Sequence, residues 1–148
     1  MNVHTPSENF VIKPMLDPES RTADVTASTG VDCRGYTRAL LMLHMGAHDI
    51  GDADEVLVIN LLESSDNNVG DAWAAVSGAS ITVGAAVVPV AATGNIYLMN
   101  IDLSKRERYL AVNADRQGTT SVDVYGVSIM LMNGDLRAPA QDFSVVSI

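Results

Sequence analysis

The chain has a single cysteine, few aromatic residues, and no Lys or Arg anywhere between Ala39 and Ser104. Each scarcity excludes something. One thiol, Cys33, cannot close an internal disulfide, so this is no disulfide scaffold, and the chain fits synthesis in a reducing compartment. Aromatics at 5% leave too few rings for a carbohydrate platform of stacked side chains. No uninterrupted apolar run reaches the ~18 residues of a membrane helix. The opening MNVHTPSENF lacks the basic-then-apolar order of a secretory signal. No internal repeat or low-complexity tract is visible, which removes collagen, coiled coils and solenoids.

What is there reads as one soluble, acidic domain. Hydrophobic residues make up 47% of 148, too many for a disordered chain. A chain of this length hides roughly two thirds of its unfolded surface and needs no metal or disulfide to fold. Nine basic residues against eighteen acidic ones give a formal charge of −9. That balance argues against nucleic acid, whose binding rests on Lys and Arg neutralising phosphates. The layout is uneven. Residues 39–104 hold eight carboxylates and no Lys or Arg, while all nine bases lie in the flanks. Solubility alone accounts for such a pattern. The sharper reading gathers Arg34, Arg38, Lys105, Arg106 and Arg108 at a base that meets an acidic partner, with loop 49–55 toward solvent.

Along the chain, residues 1–20 read as an extended N-terminal arm, punctuated by Pro6, Pro14 and Pro18. Its apolar cluster, Phe10, Val11, Ile12 and Leu16, is expected to lie in a groove, on its own domain or on a neighbour. Residues 21–148 form the single domain. Thr22–Val31 suits an edge strand, and Tyr36–Met45 a strand buried on both sides, though a short helix fits nearly as well. Val56–Glu63, Asn95–Leu103, Tyr109–Ala114 and Ser121–Met132 alternate at period two. Trp73–Val76 and Ile81–Val83 read as a hairpin around Gly78, Val87–Val90 as an edge piece, and Ser144–Ile148 as a last strand. Short strands with turn signals every 8–12 residues, and no strand–helix alternation, predict an all-β, antiparallel two-sheet sandwich of jelly-roll type. Leu57, Ile59, Leu61, Tyr97, Met99, Tyr125, Val127, Ile129 and Leu131 are the expected core.

Candidates for chemistry are thin. Asp49, Asp52, Asp54 and Glu55 make a calcium candidate, but their spacing lacks the glycine and terminal glutamate of the twelve-residue calcium loop, and a solvated acidic loop is the plainer reading. His44 and His48 stand four apart, as a helical zinc pair would. The intervening Gly46 and the strand pattern make His44 a packed strand residue instead. No nucleophile elbow or phosphate loop is present. Cys33 between Asp32 and Arg34 reads as a partly buried thiol rather than a nucleophile. Trp73 suits an interface anchor or a core residue equally. No catalytic residue, cofactor or metal is assigned.

The run VDCRGYTRALLMLHMG, an acidic loop, VLVINLLESSD, RYLAVNA and a long final strand resemble small virion proteins of tailed bacteriophages. The resemblance covers roughly residues 22–133 and rests on Gly35-Tyr36 opening a strand, Glu63-Ser64-Ser65-Asp66 closing one, and Arg108-Tyr109-Leu110 opening another. It implies a head decoration or cement protein, commonly a homotrimer. Such a module is made in the host cytoplasm and binds the major capsid protein on the capsid exterior, without enzymatic activity. The alternatives are a virion fibre or receptor- or glycan-binding module and, less favoured, a β-sandwich hydrolase.

Overall fold

The computed structural model describes residues 10–47, 56–84, 95–118, 123–133 and 145–147. Its strands are β1 (Phe10–Arg21), β2 (Val31–Asp32), β3 (Arg38–Met45), β4 (Val56–Ser64), β5 (Ala74–Gly84), β6 (Ile96–Asp102), β7 (Tyr109–Gln117), β8 (Asp123–Met132) and β9 (Val145–Ser147). A 3-10 turn at Leu103–Lys105 is the only helical element among the described residues.

The pairing follows one rule. β1 pairs with β8, β2 with β7, β3 with β6 and β4 with β5, all antiparallel. The chain is thus one long hairpin folded between β4 and β5 and then rolled up. Rolling adds the β3–β8 and β4–β7 contacts and gives two sheets, β1-β8-β3-β6-β9 and β2-β7-β4-β5. This is the jelly roll. Among the described strands only β9 departs from antiparallel order, adding parallel to β6.

Alternation then builds the core, because successive strand side chains point to opposite faces. In the larger sheet the inward rows are Leu131–Ala39–Ile101, Ile129–Leu41–Met99 and Val127–Leu43–Tyr97. In the smaller sheet Leu57, Ile59 and Leu61 meet Val83, Ile81, Ala114 and Val112. All nine expected core residues are at most 5% exposed. Each fully buried Leu or Ile contributes ~1.5–3 kcal/mol, so these rows dominate the stability.

Several expectations need correction. From Phe10 onward the arm is the edge strand β1, so the boundary placed after residue 20 falls inside a strand. Its prolines sit where an edge strand tolerates them, since an edge need not donate on both sides. Register shifts either side of Leu16 turn both Met15 and Leu16 inward, to 5% and 8% exposure. Leu16 is therefore a core residue rather than an interface residue. Gly126 lets Pro18 lie against β8, because a Cβ there would come within 2.8 Å of the proline ring.

The hairpin around Gly78 is instead one strand, β5, with a bulge. Registry slips between Asn60 and Leu62, and Gly78 takes φ +75°, which a glycine accommodates. The stretch 22–30 runs beside β7 without forming a continuous strand, held by the Val25–Ala114 bridge and by the Ser28 N–H donating to Val112 O at 2.7 Å, and only Val31–Asp32 continue as a strand. β3 is buried on one face only. Leu40 and Met42 are half-exposed and His44 is exposed, so His44 is a surface residue and not a packed one.

The two sheets present unlike outer surfaces. Outward rows of the larger sheet run Ile12–Met130–Leu40–Asn100, Pro14–Ser128–Met42–Leu98 and Gly126–His44–Ile96. Those of the smaller run Ser80–Asn60–Asn113 and Thr82–Val58–Asp115. A buried ion pair ties the sheets at one end. Arg116 Nε on β7 donates to Asp123 Oδ2 on β8 at 2.7 Å, with the side chains 11% and 2% exposed.

Candidate functional site

Two turns lie side by side at the other end of the sandwich. The first, 33–37, follows β2, and the second, 103–108, links β6 to β7. Asp32 starts the first: its Oδ1 accepts the Arg34 N–H at 3.0 Å, an Asx turn, and Gly35 completes it at φ +87°. Asp102 starts the second by accepting from Ser104 N (3.1 Å) and Oγ (2.8 Å). The turns are sewn together by backbone. Cys33 N–H donates to Arg108 O at 2.8 Å, and Leu103 N–H to Thr37 O at 3.1 Å.

This arrangement brings together the five cations singled out in the sequence. Arg108 forks onto Asp32, Nε to Oδ1 at 3.0 Å and Nη2 to Oδ2 at 2.5 Å, and its guanidinium lies 4.7 Å from the Tyr109 ring centre. Arg106 reaches Glu63 at 3.5 Å, and Lys105 reaches Asp102 at 4.0 Å. Arg38 sits opposite Asp102 in the β3–β6 register. Arg34 is exposed beside them. An open groove of about 350 Å³ runs between the turns, floored by Cys33 and Leu103 and walled by Tyr36, Arg34, Arg106 and Arg108.

The electrostatics correct the expected charge split. The cations do gather, but the acid-rich stretch contributes Glu63 and Asp102 to the same rim, and Asp32 and Glu107 join them. The rim is mixed in sign rather than basic. The Arg108 fork, helped by the Arg34 N–H, holds Asp32 down at about 2 from its ordinary 3.8. Glu107 shifts upward. Desolvation is the first cause, followed by a shared hydrogen bond with Asp71 and the charges of Asp71, Glu63 and Asp66.

Beside the rim, the β4–β5 loop folds on its own side chains. Ser64 Oγ donates to Asp71 O at 2.7 Å and accepts from Asn68 N at 2.9 Å. Asp66 accepts the N–H groups of Val69 (3.0 Å), Gly70 (2.6 Å) and Asp71 (3.1 Å). Trp73 is half-buried here and packs over Gly30, where a Cβ would come within 2.9 Å of the indole.

No protein-family model matches this chain, and no curated protein matches it significantly. Cys33 is buried, and desolvation with the neighbouring Asp32 charge pushes its thiol up to about 11, so it stays protonated at neutral pH. Among the described residues no group of His, Cys, Asp and Glu is arranged to hold a metal. The calcium candidate, Asp49, Asp52, Asp54 and Glu55, and His48 lie outside the described residues.

Of the arm's residues, Phe10 is half-buried at the start of β1, while Val11 and Ile12 are 39% and 52% exposed. They lie along the sheet edge, in β1. Sequence reasoning missed the acids of the rim. The Asp32–Arg34 turn was readable from its spacing, since Asp two residues before a turn N–H is a local signal. The Asp32–Arg108 fork was not, because its partners are 76 residues apart.

Proposed function

We propose that this chain is a structural virion protein, a jelly-roll module that decorates the exterior of a tailed-phage capsid by docking its arginine-bearing rim on the major capsid protein lattice. One observation carries the reading. The three short motifs of the virion-protein resemblance, Gly35-Tyr36, Glu63 to Asp66 and Arg108-Tyr109-Leu110, border a single rim although they are far apart in sequence. Forked and backbone-bonded turns hold that rim rigid, as a docking surface requires. Its interleaved signs suit a partner surface that also carries both. Such contacts govern encounter rate and orientation more than final affinity. The net charge of −9 favours solubility before assembly.

The test is addition of the purified protein to capsids that lack it, followed by co-sedimentation and cryo-electron microscopy. Saturable, symmetric occupancy is expected. Arg34→Glu with Lys105→Glu, both at exposed positions, should leave the fold intact and slow association most at low salt. Absence of capsid binding by the unaltered protein, or binding to host cells instead, would overturn the reading. An unchanged association rate for the double variant would move the docking surface elsewhere on the molecule.

A further inference from the structure

We infer that the outward face of the larger sheet is the surface by which two copies of this chain pair, sheet face against sheet face about a two-fold axis. The inference does not depend on capsid docking and rests on the outer sheet face, which meets the rim only at Arg38 and Asp102.

In a sandwich whose outer faces meet water, outward positions read polar. Here Ile12, Leu40, Met42, Leu98, Met130 and Ile96 share one outward face on four adjacent strands. Ile12 and Ile96 are 52% and 40% exposed, and the other four are half-exposed. Scattered surface apolar residues need no explanation, but a contiguous patch does. Methionine is common at such surfaces because its flexible thioether adapts to a partner.

Two observations choose a second copy as the occupant. The first is charge. Among the described residues, the outward rows that pair across β8, β3 and β6 carry one cation, Arg38, directly across from one anion, Asp102, and otherwise only His44. On a chain of net charge −9 this is a locally balanced surface, where two like-charged copies can approach without setting carboxylates against carboxylates. A two-fold axis through the patch keeps that balance on both sides.

The second is area. Four strands ~4.8 Å apart and about seven residues long at ~3.3 Å each span a projected footprint of roughly 19 by 23 Å. That is roughly 440 Å² in projection, a little over half of the ~800 Å² per partner of a standard stable interface, the size of a weak, concentration-dependent contact between copies. The patch is single and meets itself. Self-meeting patches close as two-fold dimers, whereas rings of three need two different surfaces.

The experiment is sedimentation velocity on the full chain across micromolar concentrations, without capsids. A species of twice the 15.7 kDa chain mass is expected. Met42→Glu with Met130→Glu should weaken self-association on the order of a hundredfold or more, because carboxylates would be buried against their own copies. Thr82→Glu, on the other sheet's outer face, should leave it unchanged. Should the double variant fail to fold, peroxide footprinting of the unaltered chain replaces it. Met42 and Met130 should become protected as concentration rises through the association range, while Met99 in the core stays protected throughout. A monomer at all concentrations, a trimer, or Met42 and Met130 oxidised equally at every concentration would each overturn the proposal. Capsid binding by a monomer would do so while leaving the proposed function standing.

Discussion

The two outer faces of this sandwich are built by the same rule and come out differently. On the smaller sheet, Asn60 Nδ2 donates to Asn113 Oδ1 at 2.9 Å, and Ser80, Thr82 and Asp115 surround the pair. On the larger sheet the equivalent positions hold Leu40, Met42, Leu98 and Met130. Both sheets bury their inner rows to near-complete exclusion of water. Folding therefore needs only the inner rows. The outward rows are free to record a second requirement, and on the larger sheet that requirement is contact.

The largest expected effect comes from parting the sheets. Asp123→Ala removes the carboxylate that accepts from the nearly buried Arg116 guanidinium, and loss of one partner of a buried pair costs ~3–5 kcal/mol. Chemical denaturation should register it, and a change under 1 kcal/mol would mean that the pair does not bridge the sheets. Inner-row substitutions come next and should not distinguish the sheets. Ile59→Ala and Ile129→Ala should each cost ~2–5 kcal/mol.

Outer-row substitutions should distinguish them. Asn60→Ala orphans Asn113 and should cost ~1 kcal/mol at any protein concentration. Met42→Ala should cost little in dilute solution and progressively more as concentration rises, because ligation by a second copy adds to apparent stability. Concentration-dependent melting of the two variants, side by side, would show whether the faces differ in kind.

The smallest effect lies at the rim. A carboxyl held low in the folded state stabilises fully above its unfolded pKa, and loses that contribution as pH falls through the folded value. For Asp32 the window runs from 3.8 down to about 2. Arg108→Lys breaks the fork and should move the Asp32 titration back toward 3.8, read by carboxyl-carbon NMR. Global stability should change little, because both side chains are about one third exposed and solvent screens them.

How much of this was legible beforehand can be judged from particular residues. Leu57, Ile59 and Leu61 announced their burial through alternation alone, which is local to a strand. β1 was misread because Pro14 and Pro18 look like breakers to a local rule. Only the edge position and the bulges around Leu16 make them tolerable. Gly78 misled for the same reason, since a positive-φ glycine marks a bulge as readily as a turn. The gathering of Arg34, Arg38, Lys105, Arg106 and Arg108 was readable as a charge pattern. Their neutralisation by Asp32, Glu63 and Asp102 was not, because reach across the sandwich has no signature in spacing.

By itself, then, the sequence determined the class of fold and the inward faces, because side-chain direction in a strand has a period of two whatever the strand's neighbours. Sheet order was decided only in three dimensions, and with it both surfaces that matter. Ile12, Leu40, Leu98 and Met130 become one patch only because rolling the long hairpin sets β1, β8, β3 and β6 side by side. The mixed-sign rim exists only because the same roll lays one turn against another. A strand's own residues choose its faces; the pairing of distant strands chooses what those faces meet.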